Sequence, residues 1–300
     1  MNMDRRHFLQ FFLLGAGLVA CQSTTSTTSS PAPEAPASPA SSSQDALDEI
    51  KARGKMIVAI DPTFAPFEYT DSSGKIIGYD PSILELIAKD LGVGIDYQQM
   101  AFSGIIPGLI AGSFDFTASA LSVTAERAQK IDFTIPMAEG VNVVLKRADD
   151  TSVASSDPGA LAGKRLGVKA NTQPEGVMKG ISDKLVSEGK AAIEFLSVDT
   201  VEQTISALAT KRVDFVVDDQ IVLAQVVRER PEAKLEIVGP IGPKTYISWG
   251  TNKSDPKLNA YLNEQIKKLK ADGTLKKLQE QHFFGITFDQ LPDADFIPKS

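Results

Sequence analysis

From Leu47 onward, short apolar runs alternate with amphipathic ones. "MIVAI" (residues 56–60) predicts a buried strand. In "DPSILELIAKDLG", Ile83, Leu84, Ile87 and Leu91 recur at helical spacing. Asp80 fits the N-cap of that helix, Pro81 its first position and Gly92 its stop. "IDYQQM" predicts a strand, "SGIIPGLIAG" a helical turn and "FDFTAS" a strand. The series goes on with "RLGVK", a helix after Gln173, "AIEFL", a helix from about Thr200, "VDFVV" and a helix after Asp219. Alternation of this kind predicts an α/β protein with mostly parallel sheets. "DPKLNAYLNEQIKKLKADGTLKKLQEQHFFG" predicts two amphipathic helices punctuated by Gly273, and "DQLPDADFIPKS" a loose tail.

One stretch carries chemistry in its outline. "GVKANTQPE" (residues 167–175) starts as a strand and breaks at polar residues; Pro174 then suits a first helical position. A helix opened this way aims free backbone N–H groups at whatever lies before it, which predicts an anion there.

The chain has 300 residues, 42% of them hydrophobic, enough for roughly one to three domains. A net charge of −7 argues against nucleic acid as a partner. With one cysteine and two histidines, a Cys/His zinc site, an internal disulfide and a Cys–His nucleophile all lack members. No cofactor or metal is expected.

The N-terminus reads as an address. "DRRHFLQFFLLGAGLVAC" has a basic start and an apolar run from Phe8 to Ala20, shorter than the ~20 residues a bilayer span takes. Leu18-Val19-Ala20-Cys21 resembles a bacterial lipobox, which implies cleavage before Cys21 and a lipid on its thiol. Arg5-Arg6-His7-Phe8-Leu9 resembles a twin-arginine export motif, with Asp4 and Gln10 departing from its commonest flanks. An ordinary secretory signal with two arginines is the plainer alternative. Loss of residues 1–20 removes two arginines and one aspartate and moves the charge from −7 to −8. Residues 21–45, the cysteine and a Ser/Thr/Pro-rich run, read as a disordered tether.

In open α/β sheets, ligands sit beyond the C-terminal strand ends. Asp61, Ser119, Ser122, the run from Lys169 to Gln173, and Asp219 all fall at such ends. Singly each has a plainer reading; an Asp after a strand is more often a helix cap.

"DPTFAPFEY" (61–69), "GKIIGYDPSILELIAKDLG" (74–92), "FSGIIPGL" (102–109), "SALSVTAERAQKIDFTIP" (119–136) and "RVDFVVDD" (212–219) resemble, in order and spacing, the bacterial extracellular solute-binding proteins of family 3, the polar amino-acid receptors of ABC importers. The resemblance covers residues 46–286 and is nearest to glutamine- and histidine-binding members. It implies a two-lobed α/β fold of the type II periplasmic-binding-protein kind, its cleft between lobes joined by two crossover strands. One lobe would be residues 46–139 plus 245–286 and the other 142–241, with hinges near Glu139-Gly140-Val141 and Gly242-Pro243-Lys244; residues 287–300 remain as tail.

The same resemblance implies the site. Arg127 would clasp the α-carboxylate of a free L-amino acid, helped by backbone N–H groups of Thr172 and Gln173. Asp219, the Ala120 carbonyl and the Ser122 hydroxyl would take the α-ammonium, with Ser119 assisting. Phe64 and Phe102 would sandwich the side chain, and Asp61 and Lys169 would contact it, which favours glutamine. The plainer readings are a solvated helix charge for Arg127, core packing for the phenylalanines, and an Asp61–Lys169 pair that merely closes the cleft. "NTQPE" departs from the usual Gly-Thr-Thr/Ser turn, and Asp218 stands where a histidine or apolar residue is commoner. The implied partners are an ABC permease with its ATPase, and a membrane reached by the lipid on Cys21; the protein itself is expected to be an extracytoplasmic monomer. Two other functions share the architecture. An enzyme resembling cyclohexadienyl dehydratase would need a general acid or base in the cleft, for which Glu68 and Glu175 are the candidates. A sensor would signal through another protein.

Overall fold

The computed structural model describes residues 46–299; the export signal, Cys21 and the whole tether lie outside the described residues. In chain order the first part comprises α1 (Ala46–Arg53), β1 (Lys55–Ile60), β2 (Thr63–Phe64), β3 (Glu68–Thr70), β4 (Ile76–Ile77), α2 (Tyr79–Leu91), β5 (Gly94–Gln99), α3 (Phe102–Ile110), β6 (Phe116–Ser122), α4 (Ala125–Lys130), β7 (Asp132–Phe133) and β8 (Ala138–Gly140). The second comprises β9 (Asn142–Arg147), β10 (Arg165–Lys169), α5 (Gln173–Ser187), β11 (Glu194–Val198), α6 (Val201–Ala209), β12 (Phe215–Asp219), α7 (Gln220–Glu229) and β13 (Leu235–Pro240). The chain then returns through β14 (Thr245–Thr251), α8 (Pro256–Ala271) and α9 (Thr274–His282).

Two sheets organise these elements. The first runs β5-β1-β6-β14-β7, with β8 also beside β14; the second runs β11-β10-β12-β9-β13. Both are mixed rather than mostly parallel. β1 pairs in parallel with β5 and β6, and β10 with β11 and β12, as helical crossovers require. β14 is antiparallel to β6, and β9 to β12, because each enters its sheet from the other lobe without a crossover helix. The chain passes between sheets twice, from β8 to β9 and from β13 to β14. At these crossings Lys244 Nζ meets Glu139 Oε2 at 2.5 Å. β2, β3 and β4 form a small antiparallel sheet that the hydrophobic pattern did not announce.

Helix α2 corrects the expected cap. Its N-cap is Gly78, with φ 133°, and a Cβ there would stand 2.4 Å from the Phe67 carbonyl oxygen. Only glycine fits so close an approach. The helix therefore starts earlier than Asp80, whose buried carboxylate is turned toward β6. Gly92 ends the helix in the left-handed conformation, as expected. Pro174 likewise stands second in α5, after Gln173. Gly273 separates α8 from α9 with φ 79°.

The last residues are not a loose tail. Phe288, Leu291 and Phe296 pack on the main core, Lys276 and Lys270 bind Asp289 and Asp293 at 2.8 and 2.7 Å, and Phe288 N–H donates to Gln279 Oε1. Three apolar side chains in a polar run were enough to dock it. No helix among the described residues is long and apolar enough to cross a membrane.

Candidate functional site

The C-terminal ends of β1 and β6 face those of β10 and β12 across a narrow cleft. Lys169, at the end of β10, reaches over it. Its ammonium is 2.6 Å from Asp61 Oδ2 and 3.3 Å from Thr63 Oγ1. It lies 5.2 Å from the centre of the Phe64 ring and 5.3 Å from that of Phe102, a double cation–π arrangement. Both charged residues are almost wholly buried. The two phenylalanines thus flank a polar site, and what stands between them here is the lysine of the opposite lobe.

Behind Asp61 lies a chain of hydrogen bonds. Asp61 N–H donates to Ser119 Oγ at 3.1 Å, and that hydroxyl donates to Glu68 Oε1 at 3.0 Å. The next residue, Ala120, has φ 38°, which costs an L-residue roughly 1–2 kcal/mol. Its N–H is held by Asp80 Oδ2 at 2.9 Å. Asp80 and Glu68, neither expected as site support, pin the β6 end from behind. Burial raises Asp80 to about 7 and lifts Glu68 well above the usual carboxylate range, in the latter with help from the charge of Asp80.

Arg127 is buried at the first turn of α4. Thr124 caps that helix, its Oγ1 accepting from Arg127 N–H at 3.2 Å. The guanidinium donates to the Ser122 carbonyl at 3.0 Å and, across the cleft, to the Asn171 carbonyl at 3.1 Å. It also lies 5.4 Å from the Phe102 ring centre. Burial lowers its pKa to about 10, so it stays charged at neutral pH. These bonds occupy two of its five donors and leave the others for an anion.

Thr172 is the N-cap residue of α5, but its hydroxyl donates back to the Lys169 carbonyl at 2.6 Å instead of capping. Asn171, with φ 61°, makes the turn; its N–H is taken by Glu175 Oε2 at 2.8 Å. Gln173 Oε1 accepts from Asn142 Nδ2 at 2.8 Å. The backbone N–H groups of Thr172 and Gln173 open the helix, as the broken strand predicted.

An inner cavity of about 30 Å3 lies in the cleft. Phe64, Phe102, Ala120 and Ser122 wall it on one side, Lys169, Thr172, Gln173 and Asp218 on the other. Arg127 borders an outer groove of about 870 Å3 that shares Phe102, Thr172 and Gln173 with the cavity. Neither Glu68 nor Glu175 borders the inner cavity. Burial opposes ionisation of Glu175, yet hydrogen bonds from Ser197, Asn171 and Lys179 outweigh it and hold its pKa low, the reverse of a poised acid.

The two adjacent aspartates divide. Asp219 caps α7, Oδ1 accepting from Ile221 N–H at 2.8 Å and Oδ2 from Val141 N–H at 3.2 Å. It borders a separate pocket of about 40 Å3 beside Glu139 and Phe288, not the inner cavity. Its cap reading and its ligand reading are compatible, since a carboxylate has about four acceptor sites. Asp218 borders the cavity itself. Its Oδ1 accepts from Asp219 N–H at 2.8 Å, its buried Oδ2 has no partner, and burial raises its pKa to about 6. The departure noted at this position in the sequence is therefore a charge facing the cleft.

Comparison with known proteins agrees with this architecture. A "probable histidine-binding protein" of Campylobacter jejuni is 30% identical over 230 residues, 76% of this chain and 79% of that one. A crystal structure of an amino acid ABC transporter substrate-binding protein from Streptococcus pneumoniae, bound to L-arginine, superposes with a TM-score of 0.71 at 27% identity, covering 79% of this chain and 98% of that one. An ancestral amino acid-binding protein described as a precursor of cyclohexadienyl dehydratase superposes with a TM-score of 0.71 at 26% identity, over 80% and 100% of the two chains. The model of the bacterial extracellular solute-binding proteins, family 3, matches residues 56–285. This chain, with two α/β lobes meeting over a polar cleft, belongs to that family and is a solute-binding protein rather than an enzyme.

Proposed function

We propose that the protein captures a free L-amino acid outside the cytoplasm and presents it to an ABC permease and its ATPase. The observation that carries this reading is the pairing of Lys169 with Asp61 from opposite lobes, between two aromatic rings and next to a buried, still-charged Arg127. Arg127 and the Thr172 and Gln173 N–H groups take the α-carboxylate. Asp219, the Ala120 carbonyl and the Ser122 hydroxyl take the α-ammonium, with Ser119 holding the strand end. Residues 46–139 with 245–286, and residues 142–241, act as the two lobes, and ligand contacts made on both favour the closed form.

For the side chain we favour an amide, glutamine first. An acid accepts from the amide NH₂, and an ammonium donates to its oxygen. The histidine-binding relative and the arginine-bound neighbour make basic side chains the alternative, and the free oxygen of Asp218 favours that alternative. Calorimetry with the twenty amino acids tests both levels. Binding of none would end the receptor reading. Arginine or lysine binding more than about tenfold tighter than glutamine would replace the amide by a cation.

We further propose that Cys21 becomes a lipidated N-terminus, keeping the protein a membrane-tethered monomer; two or more acyl chains anchor stably where one does not. Intact-mass spectrometry of membrane-extracted protein is expected to show lipid mass on a chain starting at Cys21. A chain cut elsewhere would count against it.

A further inference from the structure

The inner cavity, about 30 Å3, has room for only about two waters. A side chain as long as that of glutamine or arginine does not fit beside Lys169 as it stands. The space between the Phe64 and Phe102 rings is already held by the lysine's own ammonium. If the cleft receives an amino acid as proposed above, on which this inference rests, that ammonium must go elsewhere without losing a counter-charge, since a buried unpaired cation is strongly unfavourable.

The neighbouring strand offers the place. β10 and β12 run in parallel with Leu166 opposite Phe215 and Gly167 opposite Val216. Continued two residues further, that register would bring Lys169 beside Asp218 on one face, on strands ~4.8 Å apart, and both residues border the inner cavity. Asp218 is 1% exposed, borders the cavity, and has one oxygen without a partner. A buried carboxylate with one unpartnered oxygen, bordering the same cavity as the ammonium, is a site prepared for it.

We propose that Asp218 is the alternate partner of Lys169: an entering ligand side chain displaces the ammonium from Asp61 and the ring pair, Lys169 moves to Asp218 with one of its three N–H groups left for an amide oxygen, and the ligand's own donor takes Asp61. Asp61 then keeps the Thr63 hydroxyl on Oδ1, and its freed Oδ2 seeks a donor. The pocket accordingly selects side chains that carry N–H groups and turns away carboxylates, which would face Asp61. Without Asp218, Lys169 stays on Asp61 and competes with the ligand.

The test is calorimetry on the wild type, Asp218→Asn, Lys169→Met and the double variant, with glutamine, arginine and alanine. Asp218→Asn is expected to weaken the better-bound of glutamine and arginine by at least about tenfold while leaving alanine, whose methyl makes no demand on Lys169, within about threefold. In the Lys169→Met background the same substitution is expected to cost under about threefold, because the competitor is gone. Equal losses in both backgrounds, or no loss at all, would overturn the proposal. Should Asp218→Asn fail to fold, a crystal structure of the liganded wild type decides it. Lys169 Nζ within about 3 Å of Asp218 Oδ2 supports the exchange, and Nζ still on Asp61 refutes it. A wild type that binds no amino acid removes the functional reading itself, a result distinct from either.

Discussion

The two walls of the cleft are built differently. On the β1–β6 side, polar groups are tied from behind: Ser119 bridges Asp61 and Glu68, Asp80 holds Ala120, and Thr124 caps the turn that carries Arg127. On the β10–β12 side, Lys169 leaves its own lobe for a carboxylate on the other, and Asp218 keeps an unused oxygen. The first wall is a template whose polar groups are held by hydrogen bonds within its own lobe. On the exchange proposed above the second can change partners, and a fixed wall facing an adaptable one suits a receptor that closes on its ligand.

The strongest way to break this contrast is to remove the anchor of the template. Arg127→Ala is expected to lower amino-acid affinity by roughly 30-fold to several thousand-fold, the ~2–5 kcal/mol of a lost buried charge partner. Calorimetry measures it, with circular dichroism to confirm the fold. Asp219→Ala is expected to weaken binding over the same range and also to destabilise the apo protein by about 0.5–2 kcal/mol, because the carboxylate caps α7. A thermal melt without ligand separates the two effects; unchanged affinity with a lowered Tm would make Asp219 a cap only.

The template's hidden supports have a pH signature. Asp80 is raised to about 7, above its unfolded value, so the folded state binds the extra proton between roughly pH 4 and 7. Stability is therefore greatest below that window and falls as pH rises through it. Melts from pH 4 to 8 are expected to show this decline, and Asp80→Asn, which keeps an acceptor for the Ala120 N–H, to flatten it. A decline as steep in the variant would assign the effect to Glu68, Asp218 and Asp219, whose values are also raised. The smallest expected change is at Ala120 itself. Ala120→Gly relieves the positive φ but gives up a buried methyl, terms of similar size, so Tm should move by no more than a few degrees. A large drop would mean that the strand end is not strained.

Much of this molecule was legible as a string. Strand and helix alternation, the Gly92 and Gly273 stops and the opening of α5 are local matters, decided by side-chain periodicity and by which residues tolerate a turn. The motif runs located the family and placed Arg127, Lys169 and the two phenylalanines around one cleft. Long-range packing decided the rest. Asp80 reads as a cap in sequence, but Gly78 alone could pass so close to Phe67, and the carboxylate was left for a partner 40 positions away. Ser119 meets Glu68 across 51 positions, and Lys169 meets Asp61 across 108. The tail docked because Phe288, Leu291 and Phe296 found core surface that no local pattern announces. Asp218 and Asp219 are adjacent letters with similar chemistry; the strand's alternation turned one toward the cleft and the helix start claimed the other. Local propensity writes the elements, whereas the partners of buried charges are assigned only when distant segments come together and each charge must find the group that makes its burial tolerable.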